Sequence, residues 1–500
     1  MKSAGRPPRA AVVGGGASGL AAAKCLLDEG IEPVVFERGA HLGGIWNVDE
    51  AAPDGGGPAY RSLHTNTSRA VSGFSDFPLP GNLPDFPGQA DMLRYLHDYT
   101  DHFRLRGHIC LGTQVESARP LGDGRWSVRW SRGETSGIDS FDAVLVCTGL
   151  HHQPLIPPFP GVERFAGRLL HSRGYVEPSP FAGRRVVVVG AGSSGAEIAT
   201  ELSRSAASVA LSTRGGVWFI PRCIGAHPAD HRLNRLGNRV PLGLRMRVFH
   251  RLVLQEYHRL GLRAESLDAL LPPAPFDIER SRFTPGAEVL VEAAAGRISI
   301  KPETARIEEH SVVFRDGTAL AADDIIAATG YRLEFPFLPE ALTGLTRGDT
   351  GLYRYVFPPD TPGLAFIGLC IPVGPALPIA ELQARWVASV LAGQTTLPTS
   401  ERMRREIAAR VERRTRRGVP ALRVQLLDYL DQIAGELGVR PRLARHPELA
   451  RPLLLGPPSA AQYRLDGPGR WPLAADVLRG VLRPAPDAPL SGAPELERRL

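Results

Sequence analysis

Two glycine clusters carry the clearest chemical signal in this 500-residue sequence. Gly14, Gly16 and Gly19 make one GxGxxG pattern, and Gly190, Gly192 and Gly195 make another. At that spacing the first glycine permits a tight turn, the second lets backbone approach a pyrophosphate, and the third lets a helix pack close to a strand. The free N–H groups and positive dipole end of the helix then face the phosphates. Beyond the first cluster, Glu37 stands 23 residues after Gly14, where a carboxylate can grip a ribose 2′-hydroxyl. The same offset from Gly190 lands on Thr213, followed by Arg214. A hydroxyl and a guanidinium without a carboxylate suit a 2′-phosphate, so FAD or NAD is expected at the first cluster and NADP(H) at the second. A solvated turn arginine is the plain alternative for Arg214.

Each cluster needs a strand before it and a helix after it. Arg9-Ala-Ala-Val-Val13 and Arg184-Arg-Val-Val-Val-Val189 read as short buried strands, and apolar helices follow over Leu20–Leu27 and through Leu202. Two further apolar runs, Phe141 to Thr148-Gly149 and Asp324 to Thr329-Gly330, end in Thr-Gly, where a glycine lets the chain pass close to a nucleotide. One run precedes the second cluster and the other follows it. This order predicts an α/β protein with two Rossmann-like dinucleotide-binding domains, the NADP domain inserted into the FAD domain. The expected boundaries are 1–160 and 326–480 for FAD, 161–325 for NADP, and 481–500 for a fraying tail rich in Pro, Ala and charge. Within the insertion, residues 226–275 show helical spacing, and Arg232, Arg235, Arg239, Arg245, Arg247 and Arg251 are expected on a solvated face.

Composition narrows the class. Hydrophobic residues make up 43% and charged residues 22%, which is globular. No run approaches the roughly 18 apolar residues of a membrane span. Met1–Arg9 lacks the apolar stretch of a secretory signal. Cys25, Cys110, Cys147, Cys223 and Cys370 are scattered, with no redox pair and no metal-ligand spacing, so no metal and a cytoplasmic location are expected. The net charge of +7 is carried almost wholly by arginine, Lys2, Lys24 and Lys301 being the only lysines. That bias reads as coding composition rather than a nucleic-acid surface.

Between the two clusters, Phe165-Ala-Gly167-Arg-Leu-Leu-His171-Ser-Arg-Gly-Tyr175 matches FxGxxxHxxxY. This motif resembles the identifying sequence of flavin-containing monooxygenases. Further segments are similar to the animal-type branch of that family: Leu42-Gly-Gly-Ile-Trp46, Leu63-His-Thr-Asn66-Thr-Ser and Phe74-Ser-Asp-Phe-Pro78. So are Ala328-Thr-Gly-Tyr331, Pro378 to Trp386 and Tyr463 to Trp471, and the resemblance runs from about residue 9 to 480. Membrane-bound animal members carry a hydrophobic C-terminal anchor. This sequence has Pro484-Ala-Pro-Asp and Glu495-Leu-Glu-Arg-Arg-Leu500 instead, so a protein without an anchor is expected.

The resemblance implies FAD, NADPH and O₂ chemistry: hydride transfer to the flavin, formation of a C4a-hydroperoxyflavin, and oxygen transfer to a small soft nucleophile, an amine nitrogen or a sulfide. It puts catalysis on Asn66, whose amide can donate and accept at once; an ordinary turn asparagine is the alternative. His171 and Tyr175 are expected to lock the linker between domains. Trp46 is expected against the flavin or in the core, and Ser193 and Ser194 on the NADP pyrophosphate or as helix caps. Val115, Thr148, Gly149, Gly330 and Gln383 complete the expected cofactor set. A homodimer is the ordinary expectation for the assembly.

Three rivals remain. A Baeyer–Villiger monooxygenase would use the same cofactors on ketones, but its motif ends in Trp where Tyr175 stands. A pyridine nucleotide–disulfide oxidoreductase needs a cysteine pair that the sequence lacks. A nucleotide-responsive redox or interaction protein would retain binding without turnover.

Overall fold

The computed structural model describes residues 6–48, 57–262, 270–272, 274–343 and 351–481. Two parallel five-stranded sheets organise it. In the first, Arg9–Val13 lies at the centre, between Glu32–Phe36 and Ala143–Val146; Ile109–Cys110 and Leu364–Phe366 complete the edges. In the second, Arg185–Val189 is central, between Ser208–Ser212 and Asp324–Ala327, with Ile298–Lys301 and Arg168–His171 outside. Strands buried on both faces must be apolar throughout rather than alternating. The runs Ala10–Val13 and Val186–Val188 are buried accordingly. Val12 pairs with Val35 and Leu145, and Val188 pairs with Leu211 and Ile326, so both central strands sit at the point where connections diverge to either side. In open sheets of this kind the crevice at the carboxyl ends of such strands takes the ligand.

The second sheet lies in sequence between strands of the first, as insertion requires. The expected boundary at 325 falls inside the strand Asp324–Ala327, which pairs with Arg185–Val189 on one side and Arg168–His171 on the other. The return to the first sheet therefore comes after Ala327. The stretch 226–275 is also less helical than its spacing suggests. Its α-helix is Leu242–Arg259, preceded by a bridge between Cys223–Ile224 and His227–Pro228, while 263–269 and 273 lie outside the described residues. Nor do all its arginines face solvent. Arg235 grips both carboxylate oxygens of Asp431, at 2.5 and 2.7 Å, and reaches Gln462. The tail expected over 481–500 lies outside the described residues apart from Val481.

Three segments of the resemblance meet in one buried ionic cluster. Arg464 pairs with Glu381 at 2.8 Å and with Asp76 at 2.7 Å, and Lys24 reaches Asp76 at 2.7 Å. Ser75 donates its backbone N–H to Glu381 at 2.6 Å and accepts from Arg464 Nε at 2.6 Å. Beside them Arg385 donates to the carbonyls of Tyr463 and Pro468. Burial and the neighbouring Arg464 push its pKa down to about 10. Charges this deep persist only when paired and hydrogen-bonded. The cluster fixes the helix Leu377–Leu391 and the segment 460–469 against the first helix, Ala17–Asp28.

Candidate active site between two nucleotide loops

Both glycine loops follow their strands directly and open their helices, Ala17–Asp28 and Ser193–Leu202. The third glycine cannot be replaced: a Cβ on Gly19 would stand 1.8 Å from the carbonyl of Gly14, and one on Gly195 would stand 1.8 Å from that of Gly190. A Cβ on Gly192, by contrast, would meet nothing within 4 Å, which is the open face a phosphate needs. Gly16 and Gly192 are the N-cap residues of the two helices and supply no side-chain cap, so the first-turn N–H groups are left for an anion.

At the first loop Glu37 accepts from the N–H groups of Gly15 (2.6 Å) and Gly39 (2.7 Å). Those bonds orient its carboxylate while leaving lone pairs for a ribose hydroxyl. Thr148 and Gly149 follow Ala143–Val146, and the Thr148 Oγ1 is buried with no hydrogen-bond partner. A buried orphan hydroxyl is costly unless a ligand completes it, so this donor set fits FAD. Val115 is buried in the strand Gln114–Pro120 beside the first sheet. Trp46 is buried in the main core. Gln383 is placed differently from the expectation. Its Oε1 accepts from Gly368 N–H at 2.8 Å and its Nε2 donates to the Tyr429 hydroxyl at 2.6 Å, so it reaches the loop through Gly368. A Cβ on Gly368 would lie 2.6 Å from Ser18 Oγ, in the first turn of the first helix.

At the second loop Thr213 spends its hydroxyl on Gly215, donating to the carbonyl at 2.7 Å. Arg214 is exposed and engaged by no other side chain among the described residues, so its guanidinium is open to an anion. Ser193 and Ser194 begin the helix that follows. NADPH fits this set.

The linker motif is locked on both sides. His171 accepts from Arg173 N–H through Nδ1, so Nε2 carries the proton and donates to the Gly330 carbonyl at 2.9 Å. Burial lowers its pKa and keeps it neutral. Tyr175 is fully buried, donates to Glu201 at 2.7 Å and packs edge-on against Tyr60, with ring centroids 5.7 Å apart.

Asn66 sits where the two units meet. Its Oδ1 accepts from Arg222 at 3.3 Å, and Arg222 also pairs with Glu197 at 2.5 Å and Glu288 at 3.1 Å. Glu197, on the helix of the second loop, accepts in turn from the Tyr60 hydroxyl. Burial works against the Arg222 charge, but Glu288 and Glu197 outweigh it and raise its pKa. The Asn66 loop is gripped again two residues on: Asp230 accepts from Ser68 N–H at 2.5 Å, and His231 Nε2 lies 3.2 Å from Ser68 Oγ. Burial raises the pKa of Asp230 and lowers that of His231. Tyr60, Glu197, Arg222, Asp230 and His231 escaped sequence reading. They are distant in the chain and share no spacing, and only the neighbouring pair Asp230-His231 could have drawn notice.

Residues 8–481 match the family model described as flavin-binding monooxygenase-like. The chain is 37% identical over 495 residues to dimethylaniline monooxygenase [N-oxide-forming] 2 of Macaca mulatta, covering 94% of this chain and 91% of that protein. It is equally 37% identical to flavin-containing monooxygenase 5 of Mus musculus, over 93% of this chain and 90% of that protein. Among solved structures, S-allyl-L-cysteine S-oxygenase from Allium sativum aligns with a TM-score of 0.65 at 26% identity, covering 87% of this chain and 89% of the other. Cyclohexanone monooxygenase from Rhodococcus sp. Phi1 bound to NADP+ shares the fold, with a TM-score of 0.64 at 19% identity over 86% of this chain and 97% of its own. Glycine loops, linker motif and whole-length similarity agree, and the chain belongs to the flavin-binding monooxygenase-like family.

Proposed function

We propose that this chain is an FAD-dependent monooxygenase that uses NADPH and O₂ to place one oxygen atom on an amine nitrogen or a sulfide. When bound, FAD supplies the redox chemistry, taking reducing equivalents from NADPH and passing them to O₂. The protein supplies placement. Gly14, Gly16, Gly19, Glu37, Thr148 and Gly149 hold FAD, with Trp46, Val115, Gly330 and Gln383 shaping its surroundings. Gly190, Gly192, Ser193, Ser194, Gly195, Thr213 and Arg214 hold NADPH.

The observation that carries the reading is the bond from Arg222 to Asn66, which ties the proposed catalytic amide to the helix that opens the NADP loop. Held by its Oδ1, Asn66 keeps its Nδ2 donors for the reacting edge. The buried linker around Tyr175 holds the two cofactor units in register and keeps water out. No paired carboxylates or protein nucleophile are required.

Tyr175 in the linker motif and the N-oxide- and S-oxide-forming relatives favour heteroatom oxygenation over ketone insertion. The test is a competition with NADPH, an aryl methyl sulfide and a cyclic ketone in one vessel. Sulfoxide formed in step with NADPH consumed, with ketone untouched, supports the reading; lactone as the main product overturns it.

We further assign the enzyme to the cytoplasm, on its five unpaired cysteines. Among the described residues no helix is long and apolar enough to cross a membrane. A homodimer is the proposed assembly, to be checked by light scattering.

A further inference from the structure

An arginine-lined cleft stands apart from both glycine loops and from Asn66. Its volume is about 470 Å³, within the range of small-molecule sites. Arg354, Arg410, Arg413, Arg414, Arg417 and Arg423 line it, against the three carboxylates of Glu279, Glu406 and Asp428. Six guanidinium groups and three carboxylates thus share its lining.

Part of this charge is paired within the chain. Arg354 pairs with Glu406 and Glu436, Arg417 with Glu279, and Arg410 is engaged as well. Arg414 and Arg423, however, bond only backbone carbonyls among the described residues. Arg414 reaches Pro420 and Arg423, while Arg423 reaches Ile278, Glu279 and Ser281. Arg413 is exposed and makes no hydrogen bond or ion pair among the described residues. The Nε atoms of Arg354 and Arg414 are buried with no acceptor. Unmet buried donors cost free energy. Burial and the charge of Arg414 also lower the pKa of Arg423, as crowded like charges must.

The backbone here is unusual as well. Arg354 and Tyr355 are consecutive non-glycine residues with φ of 53° and 61°. Such strain persists where the surroundings impose it, and it gathers at ligand sites. The cleft is also wired to the first glycine loop. Tyr429 in its wall donates to the Arg354 carbonyl at 2.5 Å and accepts from Gln383, which holds Gly368 against Ser18.

We propose that this cleft is a second anion site, taking a small soluble ligand with two or more phosphate groups, separate from the nucleotide loops. Guanidinium forks match phosphate oxygens, and a multiply charged ligand would draw on Arg413, Arg414 and Arg423, which have no carboxylate partner among the described residues. A lone carboxylate would meet fewer.

The test is isothermal titration of the FAD-loaded full chain with inorganic pyrophosphate. Saturating NADP+ is present so that the second loop is filled, and ionic strength is matched with KCl. A single saturable site is expected. Its affinity should fall at least tenfold in Arg413→Glu, recover in Arg413→Lys, and stay unchanged in Arg214→Ala. Arg413 is exposed and unpaired among the described residues, so its substitution leaves the fold intact, and circular dichroism checks this. Absence of saturable heat, equal affinity in Arg413→Glu, or loss in Arg214→Ala would overturn the site. Tight binding to phosphatidate-containing vesicles without binding of free pyrophosphate would overturn the soluble ligand.

Discussion

Arg222 donates to Asn66 across 156 residues of sequence, at 3.3 Å, while the same guanidinium pairs with Glu197 at 2.5 Å. Asn66 belongs to the first unit, and Glu197 lies on the helix that opens the second glycine loop. The Asn66 amide is therefore oriented from the helix that opens the second glycine loop. Arg222→Ala frees Asn66 Oδ1 and leaves Glu197 facing Tyr60 alone. A charge-assisted hydrogen bond contributes about 1.5–3 kcal/mol, or roughly ten- to a hundredfold. Product formed per NADPH consumed should fall by that order in Arg222→Ala and at least as far in Asn66→Ala, with FAD content unchanged. Full coupling in Arg222→Ala would show that the bond does not position Asn66.

The proposed 2′-phosphate donor is Arg214, because Thr213 is committed to Gly215. Arg214→Ala should raise the KM for NADPH on the order of ten- to a hundredfold and leave that for NADH nearly unchanged. Steady-state kinetics with both nucleotides measures this; equal losses would remove Arg214 from the 2′-phosphate.

His171 makes stability depend on pH. Its folded pKa lies below the unfolded value of about 6.5, because burial disfavours the imidazolium. The unfolded state thus binds a proton first as pH falls. This contribution is complete above pH ~6.5 and is lost as pH drops through the folded pKa. Burial lowers the pKa of His151 in the same direction. Melting temperature should decline from pH ~6.5 downward, and His171→Gln should flatten that decline while lowering the plateau. An unaltered slope in His171→Gln would place the pH dependence elsewhere.

The ionic cluster around Arg464 is a structural commitment. Both Arg464 and Glu381 are almost wholly buried, and their bond at 2.8 Å joins segments 83 residues apart. Removing one member of such a pair strands the other, at a cost of about 3–5 kcal/mol. Arg464→Ala should lose stability on that scale in urea unfolding, and Glu381→Gln less, since the amide still accepts from Ser75. A loss below about 1 kcal/mol in Arg464→Ala would mean the cluster is relaxed by water.

The two glycine loops were legible as strand–turn–helix units because their pattern is local. Strand, glycine spacing and helix all fall within about 20 residues, and the structure has Arg9–Val13 and Ser193–Leu202 where the pattern asks for them. Order along the chain also disclosed the insertion. The boundary at 325 was misplaced because an apolar strand ending in Thr-Gly reads alike in either sheet, and only pairing with Arg185–Val189 decides. Arg235 read as a surface arginine because its helical spacing matched its neighbours; its partner Asp431 lies 196 residues away. The Arg222–Glu197–Tyr60 cluster was hidden for the same reason. Long-range ion pairs follow from the packing of two units, and no periodicity encodes them.

The most direct test of the monooxygenase assignment is isotopic. Purified protein loaded with FAD is given NADPH and methyl p-tolyl sulfide under ¹⁸O₂, and the product is analysed by mass spectrometry. The account predicts sulfoxide carrying one ¹⁸O atom, formed in proportion to NADPH oxidised and failing to form without NADPH. Sulfoxide with unlabelled oxygen, or NADPH oxidised with all the O₂ recovered as hydrogen peroxide and no sulfoxide, would contradict it.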